Sequence, residues 1–557
     1  MVLSLVLAAC GGGNPSPSAS TPAGSGPAEP SATEAAAGGT FTLPTTTEPA
    51  SLDPNLATDS GSILVLNSIQ RPLLWYDPKT LETVTDGGLA DSFEVSPDGT
   101  KITYTLKDGI KYSDGTPIVA DDFVRSIKRL IDPHTASDYA YIVGDIKGAS
   151  DLLGLVPGEG EDFDDAAITT ALDALGVSAP DPKTVVIELS GPATYFPYVT
   201  TMWLTAPLKE GWTDTKDYTE AANYISSGPF KLEDWSHNES LTLVPNENWI
   251  GGSAPKVDEI DVRIFKDPDA AFAAYQAGEI DMAAVPTANL AQMRAEHADE
   301  VLQGDTLATY YLGFDMKDKS GQVYKSKALR HALSEAIDRQ GLIDTVRQGV
   351  GTPATSMVPK GMPGNQPDIG LKFDAAKAKA DLATAMTELG VSDVKDIPIE
   401  LGFNADSGHE EIMAYIQEQW RTNLGIEAKL TGVEWNTYLD QLAKDPYTVF
   451  RLGWSADYPH PQNFLSLFTC DSGNNDSGYC NPDYDALVKK ANAEPDFDKQ
   501  IATYNQAQEL LVDDAPLIFI YWYGRFTAIK PYVTLNATGL DSTTGMTFPE
   551  LISIAAH

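Results

Sequence analysis

The stretch "GLADSFEVSPDGTKITYTLKDGIKYSDGTPIVADDFVRSIKRL", residues 88–130, changes its hydrophobic period partway along. Ile102, Tyr104 and Leu106 alternate with Thr103 and Thr105, which is the two-residue period of a strand with one buried face. The glycine-containing corners that follow predict a hairpin. After Ala120 the period becomes helical: Phe123, Ile127 and Leu130 share a face, behind two aspartates that suit a helix N-terminus. Farther on, "DAAFAAYQAGEIDMAAVP" (269–286) predicts a helix stopped at Gly278 and followed by a short strand. Strands and helices alternate from there to the C-terminus, so the fold class is α/β, with lobes built on mixed sheets. No internal repeat is evident.

At 557 residues the chain is too long for one core and long enough for two or three lobes. With 42% hydrophobic residues it belongs to the globular class. Its formal net charge of −41 repels phosphate backbones and anionic membrane surfaces, which excludes nucleic acid as a partner; the acidity reads as solubility.

The first ten residues, "MVLSLVLAAC", form a short apolar run that ends in a small-residue box before Cys10 and resembles a bacterial lipoprotein cleavage site. The run lacks a positive n-region, so the start is expected to lie inside the real signal peptide. Residues 11–39 are small, polar and patternless, the composition of a flexible tether with a reach of about 30 Å. No other apolar stretch approaches the roughly 20 residues needed to span a bilayer. Besides Cys10 there are only Cys470 and Cys480, separated by the polar loop "DSGNNDSGY". In an oxidising compartment this pair reads as a disulfide contributing on the order of 2–3 kcal/mol, with free thiols or a partial metal site as alternatives.

Catalytic signatures are missing. There is no GxSxG elbow, no GxxxxGK[ST] loop, no CxxC pair and no GxGxxG after a strand. "HEEIM" begins like a zinc-protease helix, but Met413 stands where the second histidine would be. No enzyme, no cofactor and no metal site is expected.

From "SLDPN" at 51 to the C-terminus, ordered stretches resemble the extracytoplasmic solute-binding proteins of the peptide and nickel class, which serve ABC importers. They are residues 88–130, "SSGPFKLEDW" (226–235), "NENWIGGSAPKVDEIDV" (246–262), "AYQAGEIDM" (274–282), "ALRHALSEAIDR" (328–339) and "GWSADYPHPQNF" (453–464). The resemblance implies a two-lobed periplasmic-binding-protein-like fold of the class II type with an extra domain inserted in the first lobe. It places lobe I at 40–90, 186–307 and 520–557, the inserted domain at 91–185 and lobe II at 308–519. Ligands in the class include peptides, metal chelates, haem and oligosaccharides.

The site pattern is similar to the oligopeptide-binding branch. By that resemblance Asp457 receives a peptide's α-ammonium group, while Arg451 and His409 face the carboxylate end. Trp454, Gly453, Trp435, Tyr139 and Tyr311 fall at positions that line the cleft. Ser455 stands where the branch can carry a cysteine, so its long-range disulfide is absent here.

The residues support these roles locally. "YTVFRLGW" (447–454) alternates like a strand, with Val449, Arg451 and Gly453 on one face and Phe450, Leu452 and Trp454 on the other. Gly453 leaves room beside Arg451 for another backbone. Ser407 and Glu410 fit a capping box, which puts His409 in a helix's first turn, where the positive end suits an anion. Ile412, Ile416, Trp420 and Leu424 form that helix's apolar stripe.

The expected partners are therefore a short peptide and the permease and ATPase subunits of an importer. The protein is expected to act as a monomer, lipid-anchored through Cys10 to the outer face of the cytoplasmic membrane, at the cell surface or in a periplasm. Because the globular body begins only after Gly39, Cys10→Ser should release a folded, ligand-competent protein into the soluble fraction. Fractionation checks this, and membrane retention of the variant would contradict the anchor.

Overall fold

Strand Lys101–Leu106 buries Ile102, Tyr104 and Leu106, as the alternation requires. The computed structural model describes residues 38–77, 79–158, 162–317, 326–405, 408–535 and 548–557. Cys10 and nearly all of the tether lie outside them. The hairpin partner differs from the expectation. Lys101–Leu106 pairs antiparallel with the preceding strand, Ala90–Val95, and with Thr184–Glu188, while Lys111 makes only an isolated bridge to Pro117. The turn at 96–99, where Gly99 takes a positive φ of 67°, closes the hairpin on the earlier side. Helix Ala120–Ile131 follows with Phe123, Ile127 and Leu130 buried and Asp121 and Asp122 in its first turn.

Two four-stranded sheets make up the first half. One runs in the order Thr40–Thr45, Glu259–Ile264, Ser240–Pro245 and Phe230–Ser236; the other in the order Ala90–Val95, Lys101–Leu106, Thr184–Glu188 and Val177–Asp181. Both feed one continuous apolar core that includes Phe41, Ile102, Phe123, Ile187, Leu243 and Val262. The C-terminus returns to this core through Ile552 and Ile554, and Glu550 pairs with the fully buried Arg71 at 2.7 Å.

The second half is organised by a seven-stranded sheet. Its main path runs Met282–Ala284, Leu517–Ile529, Val301–Phe314, Val449–Ser455, Glu400–Asn404 and Lys429–Val433, with Thr352–Pro353 added against Leu517–Ile529. One face packs on Leu333, Met413, Ile416 and Trp420, and the other on Tyr438, Phe464, Tyr484 and Leu511. Helix Pro268–Ala277 stops at Gly278, φ 76°, ahead of strand Met282–Ala284, as the sequence predicts. The lobe limits expected at 185, 307 and 519 fall inside the strands Thr184–Glu188, Val301–Phe314 and Leu517–Ile529. The last two are single long strands, 14 and 13 residues, hydrogen-bonded to each other across the expected limits. Among the described residues no helix is long and apolar enough to cross a membrane.

The two halves meet at His460. Its ring lies 4.8 Å from that of Tyr198 and 6.1 Å from that of Tyr195, on the first core, and 5.6 Å from that of Tyr504, on the second. Nδ1 accepts the Gln462 N–H at 3.2 Å, which leaves Nε2–H to donate to Gln500 Oε1 at 3.1 Å. Burial lowers the imidazole from the ordinary value of 6.5 to about 4. The unfolded chain takes up this proton near pH 6.5 and the folded chain only near 4, so acidification through that window favours unfolding. The loss should be on the order of 3 kcal/mol. Denaturant midpoints measured between pH 7 and 4 should fall less steeply in His460→Gln than in the parent; parallel profiles would refute the assignment.

Candidate functional site

Strand Val449–Ser455 carries one candidate charge, and the loop beyond its end carries the other. Val449 packs into one core layer while Phe450, Leu452 and Trp454 pack on the opposite face, which is the alternation read from the sequence. Arg451 is only 8% exposed. Its guanidinium donates to Asn404 Oδ1 at 3.1 Å and to the Tyr523 hydroxyl at 2.9 Å, and lies 4.6 Å from the centre of the Tyr310 ring. All three partners are neutral, and its Nε is buried without a hydrogen-bond partner among the described residues.

The sheet register explains this surrounding. Leu312 lies opposite Arg451, and Tyr310 lies opposite both Gly453 and Tyr521. Facing residues of paired strands project to the same side, so Tyr310, Tyr521 and Arg451 share a face. Tyr310 and Tyr521 stack with centroids 4.7 Å apart, and Tyr523 adds an edge contact at 5.0 Å. A second guanidinium, Arg347, lies 5.1 Å from the Tyr521 ring. Gly453 opens room beside Arg451, but the described chain already fills it. A Cβ there would stand 3.1 Å from the Tyr523 hydroxyl and 3.4 Å from both the Arg451 guanidinium and the Thr309 carbonyl oxygen, so the glycine makes way for side chains and for the neighbouring backbone.

His409 joins this group through its Nδ1, 3.2 Å from the Tyr310 hydroxyl. Ser407 lies outside the described residues, and helix Glu410–Leu424 begins with His409 itself at the N-cap and no side-chain capping bond. The helix is anchored by Ile412, Ile416, Trp420 and Leu424, all buried as its stripe predicts. Burial first, and then the nearby Arg451 guanidinium, lower the His409 imidazole to about 4. At neutral pH it is therefore uncharged.

Asp457 follows the strand in a turn that Asn463 organises. Asn463 Oδ1 accepts from the Trp454 indole N–H at 2.9 Å and from the Asp457 backbone N–H at 3.0 Å. Its Nδ2 donates to Asp457 Oδ2 at 2.9 Å, and the Tyr139 hydroxyl, from the first half of the chain, donates to Asp457 Oδ1 at 3.2 Å. Burial pushes this carboxyl above the usual range, although both hydrogen bonds oppose the shift. Among the described residues no cation lies within ion-pair distance of it.

The structure thus brings Arg451, Gly453 and His409 into one group, and Asp457, Trp454 and Tyr139 into a second around the end of the same strand. The other two candidates stand apart. Tyr311 pairs with Leu452 and Phe519, so it projects into the opposite layer, 4% exposed against the Phe468 edge. Trp435, 42% exposed, opens helix Trp435–Lys444 at the surface. Cys470 and Cys480 form a disulfide with their Cα atoms 4.5 Å apart, and belong to neither group. Asn404, Asn463, Tyr310, Tyr521 and Tyr523 were not among the sequence candidates. The alternating aromatics of "YWYGR" (521–525) were the one visible trace of this set.

Two sheet-based halves that meet beside a buried carboxylate, with Tyr139 of one bonding Asp457 of the other, have the arrangement of a two-lobed binding protein. Residues 85–476 match the family described as bacterial extracellular solute-binding proteins, family 5, and the chain belongs to that family. It is 32% identical to the oligopeptide-binding protein OppA of Bacillus subtilis, over 94% of this chain and 93% of that protein. It is 30% identical to the periplasmic murein peptide-binding protein MppA of Escherichia coli, over 87% and 88%. Among solved structures, the unliganded open form of MppA superposes with a TM-score of 0.78 at 27% identity, over 94% of this chain and 98% of that one. The Haemophilus influenzae OppA complex with the peptide RPPGFSPFR gives 0.73 at 26% identity, over 94% and 100%.

A carboxylate arriving beside His409 would raise its affinity for a proton, so ligands that reach it should bind more tightly as pH falls from 7 toward 5. Calorimetry at both pH values, comparing the parent with His409→Asn, checks this. The parent should take up a proton on binding and the variant should not. Identical pH profiles would remove His409 from the ligand's surroundings.

Proposed function

We propose that the protein captures short peptides outside the cytoplasmic membrane by closure of its two lobes and delivers them to the permease of an ABC importer. Asp457 receives the peptide's ammonium group, and Arg451 with His409 receives its carboxylate. In this reading Cys10 carries the lipid that tethers the protein to the membrane, and the protein works as a monomer.

The observation that carries the reading is the state of the two charges. Some inner charges are paired directly, as Arg71 with Glu550 at 2.7 Å and Arg129 with Asp53 at 2.6 Å. Arg339 has its guanidinium bonded to backbone carbonyls and the Ser334 hydroxyl, whereas Arg451 keeps a buried Nε with no partner among the described residues. Arg451 and Asp457 are held by neutral groups alone. Removing an ion from water is penalised by several kcal/mol unless an opposite charge compensates, so an unpaired cation and an unpaired anion near one another suit a zwitterion. Six positions of extended chain separate them by at most about 20 Å, the span of a peptide of roughly five or six residues. The names of the relatives, which are oligopeptide-, murein peptide- and dipeptide-binding proteins, support the same ligand class. Tyr139 bonding Asp457 from the other half of the chain supports closure, since a bond across the halves favours a state in which both touch the ligand.

The test is calorimetric titration of free, N-acetylated and C-amidated peptides of about two to five residues, a range set by chain reach. Asp457→Ala should weaken every free peptide by roughly 3–5 kcal/mol, because truncation strands a desolvated ammonium group. Acetylation of the ligand should reproduce that loss in the parent protein. Arg451→Ala should affect shorter peptides more than longer ones. Equal affinity for free and acetylated peptides would overturn the role of Asp457.

A further inference from the structure

Helix Lys327–Glu335 presents His331 and Glu335 one turn apart on the same face, and helix Ala375–Leu389 brings Asp381 against them. One ligating atom from each of the three lies within 4.8 Å of the others. We propose that His331, Glu335 and Asp381 form a binding site for a divalent transition-metal ion of the zinc type, separate from the peptide cleft.

Three observations point to a cation. First, Glu335 is 2% exposed and its Oε2 is buried with no hydrogen-bond partner among the described residues. The neighbouring Asp381 carboxylate, when ionised, cannot donate to it. Second, His331 Nε2 lies 2.9 Å from the Asp513 carbonyl oxygen. Donation there fixes the tautomer and leaves Nδ1 with a free lone pair, the arrangement in which a backbone carbonyl orients a metal-bound imidazole. Third, that carbonyl belongs to the C-terminal turn of helix Phe497–Asp514, whose dipole adds negative potential at this point.

The present occupant of the gap is the Lys377 ammonium. It bonds Glu335 Oε1 and lies 3.6 Å from Asp381 Oδ2. The two carboxylates share one ammonium at this point, with the Arg339 guanidinium also near Glu335. A divalent ion replacing the ammonium would put a second positive charge between the two carboxylates. The Lys377 side chain is 53% exposed, so it can swing into water. One imidazole nitrogen with two carboxylate oxygens suits zinc over magnesium or calcium, which favour all-oxygen shells. A fourth position would remain for water. Bound there, the ion would join two helices that pack on the same core layer.

The experiment is titration of zinc chloride into chelator-treated full-length protein, followed by calorimetry and by thermal melting. The parent should bind one equivalent and melt at a higher temperature, with peptide affinity unchanged. His331→Ala and Asp381→Asn, both at partly exposed positions, should weaken zinc by roughly tenfold or more. Lys377→Met should strengthen it by a similar factor, a result that a purely structural salt bridge cannot produce. Absence of binding in the parent, undiminished binding in His331→Ala, or unchanged affinity in Lys377→Met would each overturn the site.

Discussion

The antiparallel ladder between Val301–Phe314 and Leu517–Ile529 is the constraint on which the rest depends. It runs from the edge strand Met282–Ala284 to the centre of the large sheet, and Leu302 and Ile529 at its outer end pack against the core of the first half. Its register decides which aromatic rings meet Arg451. A slip of one residue would turn Tyr310 into the opposite layer and put Tyr311 under the guanidinium. The ladder is not uniform. Its pairing shifts between Asp305 and Thr309, and again between Tyr310 and Tyr311. Such irregularities concentrate bending and twist, and here they flank Tyr310, the ring that meets Arg451.

Electrostatic magnitudes separate the site from its surroundings. The many exposed ion pairs, such as Lys429 with Glu400 and Lys444 with Asp440, lie in water and contribute about 0–1 kcal/mol each. The two inner charges are different because water no longer screens them. Rings and amides hold them in place: the face of Tyr310, itself stacked on Tyr521, supplies negative quadrupole toward Arg451, and Asn463 supplies a donor to Asp457. Neutral partners fix the geometry without cancelling the charge, so the charge remains available to a ligand.

Much of this was legible locally. Alternation in 447–454 placed Arg451 and Phe450 on opposite faces, and the stripe from Ile412 to Leu424 found the helix that anchors His409. What was not legible shares one cause, which is that it depends on partners distant in sequence. Strand parity alone could not choose Tyr310 over Tyr311, because that choice is set by pairing with residues some 140 and 210 positions away. The same applies to Tyr523, whose hydroxyl crosses an intervening strand to occupy the space beside Gly453. The neutral state of His409 was hidden too, since its cause is burial together with a guanidinium brought up by the sheet. The strands that cross the expected lobe limits could not be seen before their length was known.

The bonds around Asn463 have an optical consequence. The Trp454 indole N–H and the Asp457 carboxylate are attached to the same amide, one to its oxygen and the other to its nitrogen. Charge arriving at Asp457 repolarises that amide and hence the indole hydrogen bond. The chain has nine tryptophans, and this one is wired through a single side chain to the Asp457 carboxylate. Its absorption and emission make it an intrinsic dye for a change of charge at Asp457, readable without labelling.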